Sequence, residues 1–231
     1  MAEEPAAGPG VQGPRRGIAP PVLQYASYPF RPPDPWHTTP GMPGGADRGE
    51  PLSPWLEERL FERRIVMLRG PLTGWAASQV AAALLTLDTM GEETVALHMS
   101  AADGELAAAF AVVDAIDAMR APLHAVVTAE AGGAAVAVLA AADRRLAYRH
   151  ARIRLSEPRS STVAGTADEV AAAAGQYLRE LEELALRLVD VTGQARSRIE
   201  DDLAAGRILT AEQARDYGLI DEIVGQGRDG A

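Results

Sequence analysis

The chain has no cysteine, which excludes disulfides, thiolate catalysis and cysteine-based zinc sites. A reducing, cytoplasmic setting fits that absence. It has no lysine either, since all 22 basic residues are arginine. Without lysine there is no Walker phosphate loop, no Schiff base and no Ser-Lys dyad. Membrane-spanning runs are also missing. The most apolar segment, residues 131–142, is built of small residues and falls short of the ~20 apolar residues a spanning helix needs. Nor does the start resemble a signal peptide, because MAEEPAAGPG places acids and prolines where cations and an apolar run belong.

The net charge is −10. An acidic chain without a basic stripe is a poor nucleic-acid binder. No cofactor or metal is expected. His98 and His124 have no third ligand at a suitable spacing.

Thirteen of the 16 prolines lie within the first 54 residues, so residues 1–50 are expected to form a disordered or loosely draped Pro/Gly-rich tail. Tyr25, Tyr28, Phe30 and Trp36 within it are candidates for docking on the folded domain or on a partner. Residues 51–226 are expected to form one domain, with 227–231 a flexible end. Within the domain, residues 55–64 have helical spacing and 64–68 read as a buried strand. A helix is expected over 76–90, with Val80, Leu84 and Leu87 as its apolar stripe. Strand 94–99, helix 106–119 and strand 124–128 follow, then a buried helix over 131–142 and strand 151–155. A long helix over 168–191 carries Leu178, Leu181, Leu184 and Leu188. Helical segments 199–203 and 211–217 and a strand over 219–224 close the chain. This alternation predicts an α/β fold with mainly parallel pairing and right-handed crossovers.

Several stretches carry a specific resemblance. ERRIVMLRGPLT opens the domain, and Asp114, Met119 and Pro122 follow at a recognisable spacing. The long helix ends in Thr192, Gly193 and Gln194, and GRILTAEQARDYGLIDEIV runs from Gly206 to Val224. In this order they resemble the ClpP family, the proteolytic subunits of Clp proteases. The likeness runs from about Trp55 to Val224. It implies a ClpP/crotonase-like spiral of ββα units with a protruding helical handle, here residues 168–191. It also implies two seven-membered rings joined through their handles.

Family members cleave peptides with a Ser-His-Asp triad, in which the His takes the Ser proton and the Asp fixes the His tautomer. The nucleophile motif corresponds to Ala129, Glu130, Ala131, Gly132, Gly133, Ala134 and Ala135, which puts Gly133 at the nucleophile position. The base motif corresponds to Arg154, Leu155, Ser156, Glu157 and Pro158, which puts Ser156 at the base position. A serine hydroxyl is no general base near neutrality. Asp202 retains the third position. The oxyanion turn corresponds to Ala101, Ala102, Asp103 and Gly104, with the N–H of Ala134 as its counterpart. An acid at Asp103 disfavours a developing oxyanion. The resemblance is therefore to a catalytically degenerate, ClpR-like member, with no competent catalytic residue and no metal.

No substitute machinery stands out among Ser78, Ser100, Ser160, Ser161 and Ser197 or among His98, His124 and His150. The strand that supplies docking aromatics in the family reads Ala96, Leu97, His98, Met99 and Ser100. Both aromatics are absent, which weakens the expected docking of a Clp ATPase, while Leu146 and Tyr148 keep apolar character nearby. Three readings follow. The first is a structural or regulatory subunit in rings with a catalytic ClpP paralogue, with itself, or with both. The second is an active peptidase with a relocated nucleophile. The third is a crotonase-like binder of acyl thioesters, which predicts a cationic cluster at a phosphate.

Overall fold

The structure, a computed structural model, describes residues 52–160 and 165–225. The expected tail and the C-terminal end lie outside them. The element order is α1 (Pro54–Glu62), β1 (Ile65–Arg69), α2 (Gly74–Met90), β2 (Val95–Ala101), α3 (Leu106–Ala118), β3 (Leu123–Gly132), α4 (Ala135–Ala140), β4 (Arg144–Tyr148), β5 (Arg152–Leu155), α5 (Ala167–Thr192), α6 (Arg196–Ala205), β6 (Arg207–Thr210), α7 (Ala211–Tyr217) and β7 (Glu222–Val224). The α/β alternation is as expected. Two strands, β4 and β6, are additions to the sequence reading.

Strands β1, β2, β3, β4 and β7 form one parallel run in that order. The inward face carries Val66, Leu68, Leu97, Met99, Ala125, Val127, Ala147 and Ile223, all buried in the core with residues of α2, α3 and α4. The other face carries Met67, His98 and Leu146, each only part-covered. A parallel sheet is ordinarily covered on both sides, so this open face is a departure from the rule.

β3 is the organising strand. Its first half, His124 to Val127, pairs with β4, and its last residues, Glu130 to Gly132, pair with β5. Changing neighbours splits the sheet at the carboxyl end of β3, the kind of place where open α/β folds keep their sites. β5 then pairs antiparallel with β6, the one antiparallel pairing among the described strands.

The buried helix expected over 131–142 is corrected here. The helix is only Ala135–Ala140, and residues up to Gly132 belong to β3. Ala131 opposes Ala101 of β2 and Ile153 of β5. A Cβ on Gly132 would lie 2.5 Å from the Ala102 carbonyl oxygen. Close approach of two backbones, not helix propensity, sets this Ala/Gly run. Ala131 and Gly132 are both buried, so the end of this strand shows no alternation to betray it.

The terminal motifs have local causes. Gly193 caps α5 in the left-handed conformation, φ 67. Next to it the Gln194 amide donates to the Tyr217 carbonyl at 3.0 Å, tying the end of α5 to α7. Thr210 and Gln213 form a reciprocal capping box that starts α7. Arg145 of β4 donates from its backbone and guanidinium to Asp221, which anchors the segment entering β7.

Candidate functional site

β3, Gly133 and α4 make a strand–turn–helix in which the turn residue has φ +52. A nucleophile elbow has this order of elements, with a sharp and strained turn that lifts one side chain above the sheet end. Gly133 has no side chain to lift. A Cβ built there would have Asp103 Oδ1 at 3.4 Å and the Cα atoms of Asp103 and Pro158 at 3.7 Å. Ala134 follows, fully buried, at the foot of α4.

Two segments close around Gly133. The turn after β2 brings Asp103 and Gly104, and the segment after β5 brings Pro158 and Arg159. The two are stitched together, since the Arg159 N–H donates to the Gly104 carbonyl at 3.1 Å and the Arg159 guanidinium pairs with the Asp103 carboxylate. Asp103 Oδ1 also accepts the N–H of Gly104 at 2.7 Å. The N–H at the position that the resemblance assigns to an oxyanion donor thus bonds the chain's own carboxylate.

Gly104 is fixed by packing. A Cβ there would lie 2.5 to 2.9 Å from the Cβ, carbonyl oxygen and amide nitrogen of Leu72, which has no exposed surface. Gly104→Ala is expected to cost about 1–3 kcal/mol, as overpacking does. Chemical denaturation should report that loss as a lower midpoint at unchanged slope. An unchanged midpoint would show that the turn can move aside.

The segments that carry Ser156 and Asp202, the other two positions assigned by resemblance, meet through their next residues. Glu157 and Leu203, the residues after Ser156 and Asp202, share a backbone hydrogen bond of 3.2 Å. Asp202 itself is fully engaged. It accepts two bonds of 3.0 Å from Arg207 and one of 2.7 Å from the Tyr217 hydroxyl. Arg198 approaches to 3.9 Å. Arg198 and Arg207 also stand over the Tyr217 ring, 5.1 and 5.5 Å from its centroid. Burial first, and the bond to Asp202 second, hold the Tyr217 hydroxyl protonated far above the ordinary phenol range. This cluster joins α6, β6 and α7, and the sequence reading missed it. Arg207 five residues after Asp202 was the available signal.

A second missed contact is the Tyr177 hydroxyl, which donates to the Pro158 carbonyl at 2.8 Å. It links α5 to the segment crossing the elbow.

The remaining candidates are dispersed. The Ser78 hydroxyl donates to the Gly74 carbonyl within α2. Ser100 and His98 share the open sheet face, and burial lowers the His98 pKa. His98 pairs in register with Met67 and Val126, and His124 with Ala96 and Arg144. His150 lies in the exposed turn between β4 and β5, Ser160 and Ser197 are exposed, and Ser161 lies outside the described residues. Among the described residues, no group of three or more His, Asp or Glu could hold a metal. No helix among them is long and apolar enough to cross a membrane. On the open face, Tyr148 and Val224 pair in register and stay exposed, beside Ala96, His98 and Leu146.

Comparison with known proteins agrees with this architecture. The family described as Clp protease matches residues 51–227. The ATP-dependent Clp protease proteolytic subunit 2 of Corynebacterium efficiens is 39% identical over 80 residues, 35% of this chain and 40% of that protein. Subunit 3 of Parasynechococcus marenigrum is 38% identical over 80 residues, again 35% and 40%. Subunit 1 of Frankia casuarinae is 39% identical over 84 residues, 36% of this chain and 39% of that protein. The chain spans about two fifths of the length of the curated relatives it matches.

Proposed function

The chain belongs to the Clp protease family, and from that premise we propose that it is a non-catalytic subunit, a structural or regulatory partner in a Clp ring assembly. The observation that carries the reading is Gly133. The elbow backbone is kept, φ +52 included, while the residue on it has no nucleophile. Two supports stand beside it, Ser156 at the base position and the Asp103 carboxylate on the Gly104 N–H. In a triad enzyme, losing the Ser or the His costs about 10⁶-fold and losing both costs hardly more. The roughly 10³–10⁴-fold that a bare oxyanion hole can still supply is reduced further where a fixed anion sits on one of its donors.

A chain that keeps its frame without the chemistry can still occupy a ring position. There it would alter which substrates enter or how a catalytic neighbour is held. The partners of this reading are a catalytic ClpP paralogue, further copies of this chain, or both. Docking of a Clp ATPase would use the open sheet face, where Leu146, Tyr148 and Val224 offer apolar surface without the aromatics of Ala96 and His98 positions. The setting proposed is cytoplasmic.

Two measurements test this. The purified chain should hydrolyse no fluorogenic peptide and take up no fluorophosphonate probe; stoichiometric labelling of any serine would instead favour a relocated nucleophile. Light scattering after size exclusion should place the chain, mixed with a catalytic ClpP, in a complex far above 24.3 kDa. A strict monomer, alone and mixed, would defeat the assembly reading.

A further inference from the structure

α5 and α6 diverge beyond Glu157 and leave a groove of about 320 Å³ between them. Its apolar lining includes Leu181, Ala185 and Leu203, with Leu178 at its rim, where the acids Glu157, Glu182 and Glu200 also stand. One cation stands inside: Arg196 bonds Glu200 at 2.7 Å and Glu182 at 3.2 Å. That leaves the rim at a net −2, with the Glu157 carboxylate facing outward. Leu178 is 63% exposed on the rim, and Leu186 and Val170 are exposed further along α5. The wider surface has the same sign. Across α5 and α6 nine acids stand against four arginines, a net −5 within 36 residues, half of the chain's total charge.

We propose that this groove is a docking site for a basic amphipathic segment of a different subunit, and that its charge selects against a second copy of this chain. The inference rests on the assembly reading above and adds the chemistry of the partner. A segment that seats a leucine-sized side chain on Leu178 and Leu181 and places a guanidinium or ammonium group on Glu157 satisfies both halves of the groove. A second copy does not. In a two-fold contact the same patch meets itself, so a rim of net −2, its Arg196 included, would face a rim of net −2. Like charges held close across an interface suppress that pairing, while opposite charges speed encounter and fix register. The exposed apolar face of α5 then has one suitable cover, a helix with leucines framed by basic residues.

The full chain tests this with two labelled synthetic helical peptides of identical leucine spacing, one carrying lysines and the other glutamates at the flanking positions. Fluorescence anisotropy should show binding of the lysine peptide and none of the glutamate peptide. Affinity should fall about tenfold or more from 50 to 300 mM salt, because exposed rim charges are screened increasingly as the Debye length shortens from about 14 to about 6 Å. Leu178→Ser, an exposed position whose loss leaves the core intact, and the pair Glu157→Gln with Glu182→Gln should each weaken the lysine peptide by about tenfold. Circular dichroism checks that these variants keep their fold. Equal binding of both peptides, binding of neither, or lysine-peptide binding that ignores the groove substitutions would overturn the proposal. So would a self-associated chain that Leu178→Ser converts to monomer. The assembly reading fails on a different result, the strict monomer in the presence of a catalytic ClpP, whatever the peptides do.

Discussion

The triple variant Gly133→Ser, Ser156→His, Asp103→Gly is expected to take up a serine-directed probe and to hydrolyse a nitrophenyl ester at least about 10²-fold faster than the wild-type chain. The elbow already has the strained turn such a serine occupies. With the Asp103 carboxylate removed, the nearest obstacles to a new side chain are the Cα atoms of residue 103 and Pro158, each 3.7 Å from the Cβ, an ordinary contact distance. Removing the carboxylate also frees the Gly104 N–H it now accepts from. The gain stays well below the roughly 10⁶-fold that separates an intact triad from a broken one. Asp202 is committed to Arg207 and Tyr217, and a misplacement of about 1 Å alone costs 10²-fold. The serine should also carry a stability penalty of about 1–2 kcal/mol, because a Cβ at positive φ crowds its own carbonyl. The double variant that retains Asp103 should remain close to background. Probe uptake absent from the triple variant, with the fold intact by circular dichroism, would mean that the three positions do not form a site.

Asp202→Ala should destabilise the domain by about 2–4 kcal/mol, the range for removing one partner from a part-buried, charge-assisted hydrogen-bond network. For a domain of this size that lowers the melting temperature by roughly 4–12 °C. The side chain is only 14% exposed and accepts three bonds from two elements. Its loss leaves the Tyr217 hydroxyl without its acceptor and Arg207 without its partner. The neighbouring exposed Asp201→Ala should move the midpoint by less than about 0.5 kcal/mol, as surface substitutions do. Equal, small shifts for both would return Asp202 to the status of a catalytic relic. A large shift for Asp202 alone explains why an acid persists there without a base to orient.

Much of this architecture was legible because local chemistry and tertiary role coincide. Val80, Leu84 and Leu87 recur at helical spacing and are all buried under α2. The stretch from Gly206 to Val224 declares two helix caps and a capping box in its residue types alone. Legibility ended where the period vanished. Residues 129–132 carry only Glu130 as a marker of face, so Ala131 and Gly132 read as the start of the following helix although they end β3. β4 was hidden by Arg144 and Arg145, charges that make sense only beside Glu222 and Asp221, more than 70 residues later. The site divides in the same way. Gly133, Ser156 and Asp202 are assigned to their positions by resemblance alone. The occupation of the Gly104 N–H is a contact between chain neighbours that depends on the turn's conformation, while the Arg159 pairing and the tether from Tyr177 join segments distant in sequence, and no spacing rule anticipates them.

The long helix α5 touches the body at only one end. Of its 26 residues, Leu184, Ala185 and Leu188 are buried, and the first ten are almost entirely exposed. The capping box at Thr166 and Glu169 secures its first turn, yet among the described residues little packs on the turns that follow. The helix is therefore a graded clock for solvent exchange. Near Leu188, deuterium uptake must await opening of the core, whereas near Val170 it needs only local fraying. Any subunit that settles against the outer half of α5 would slow the fast end and leave the slow end unchanged. The ratio of the two rates reads out occupancy without a label.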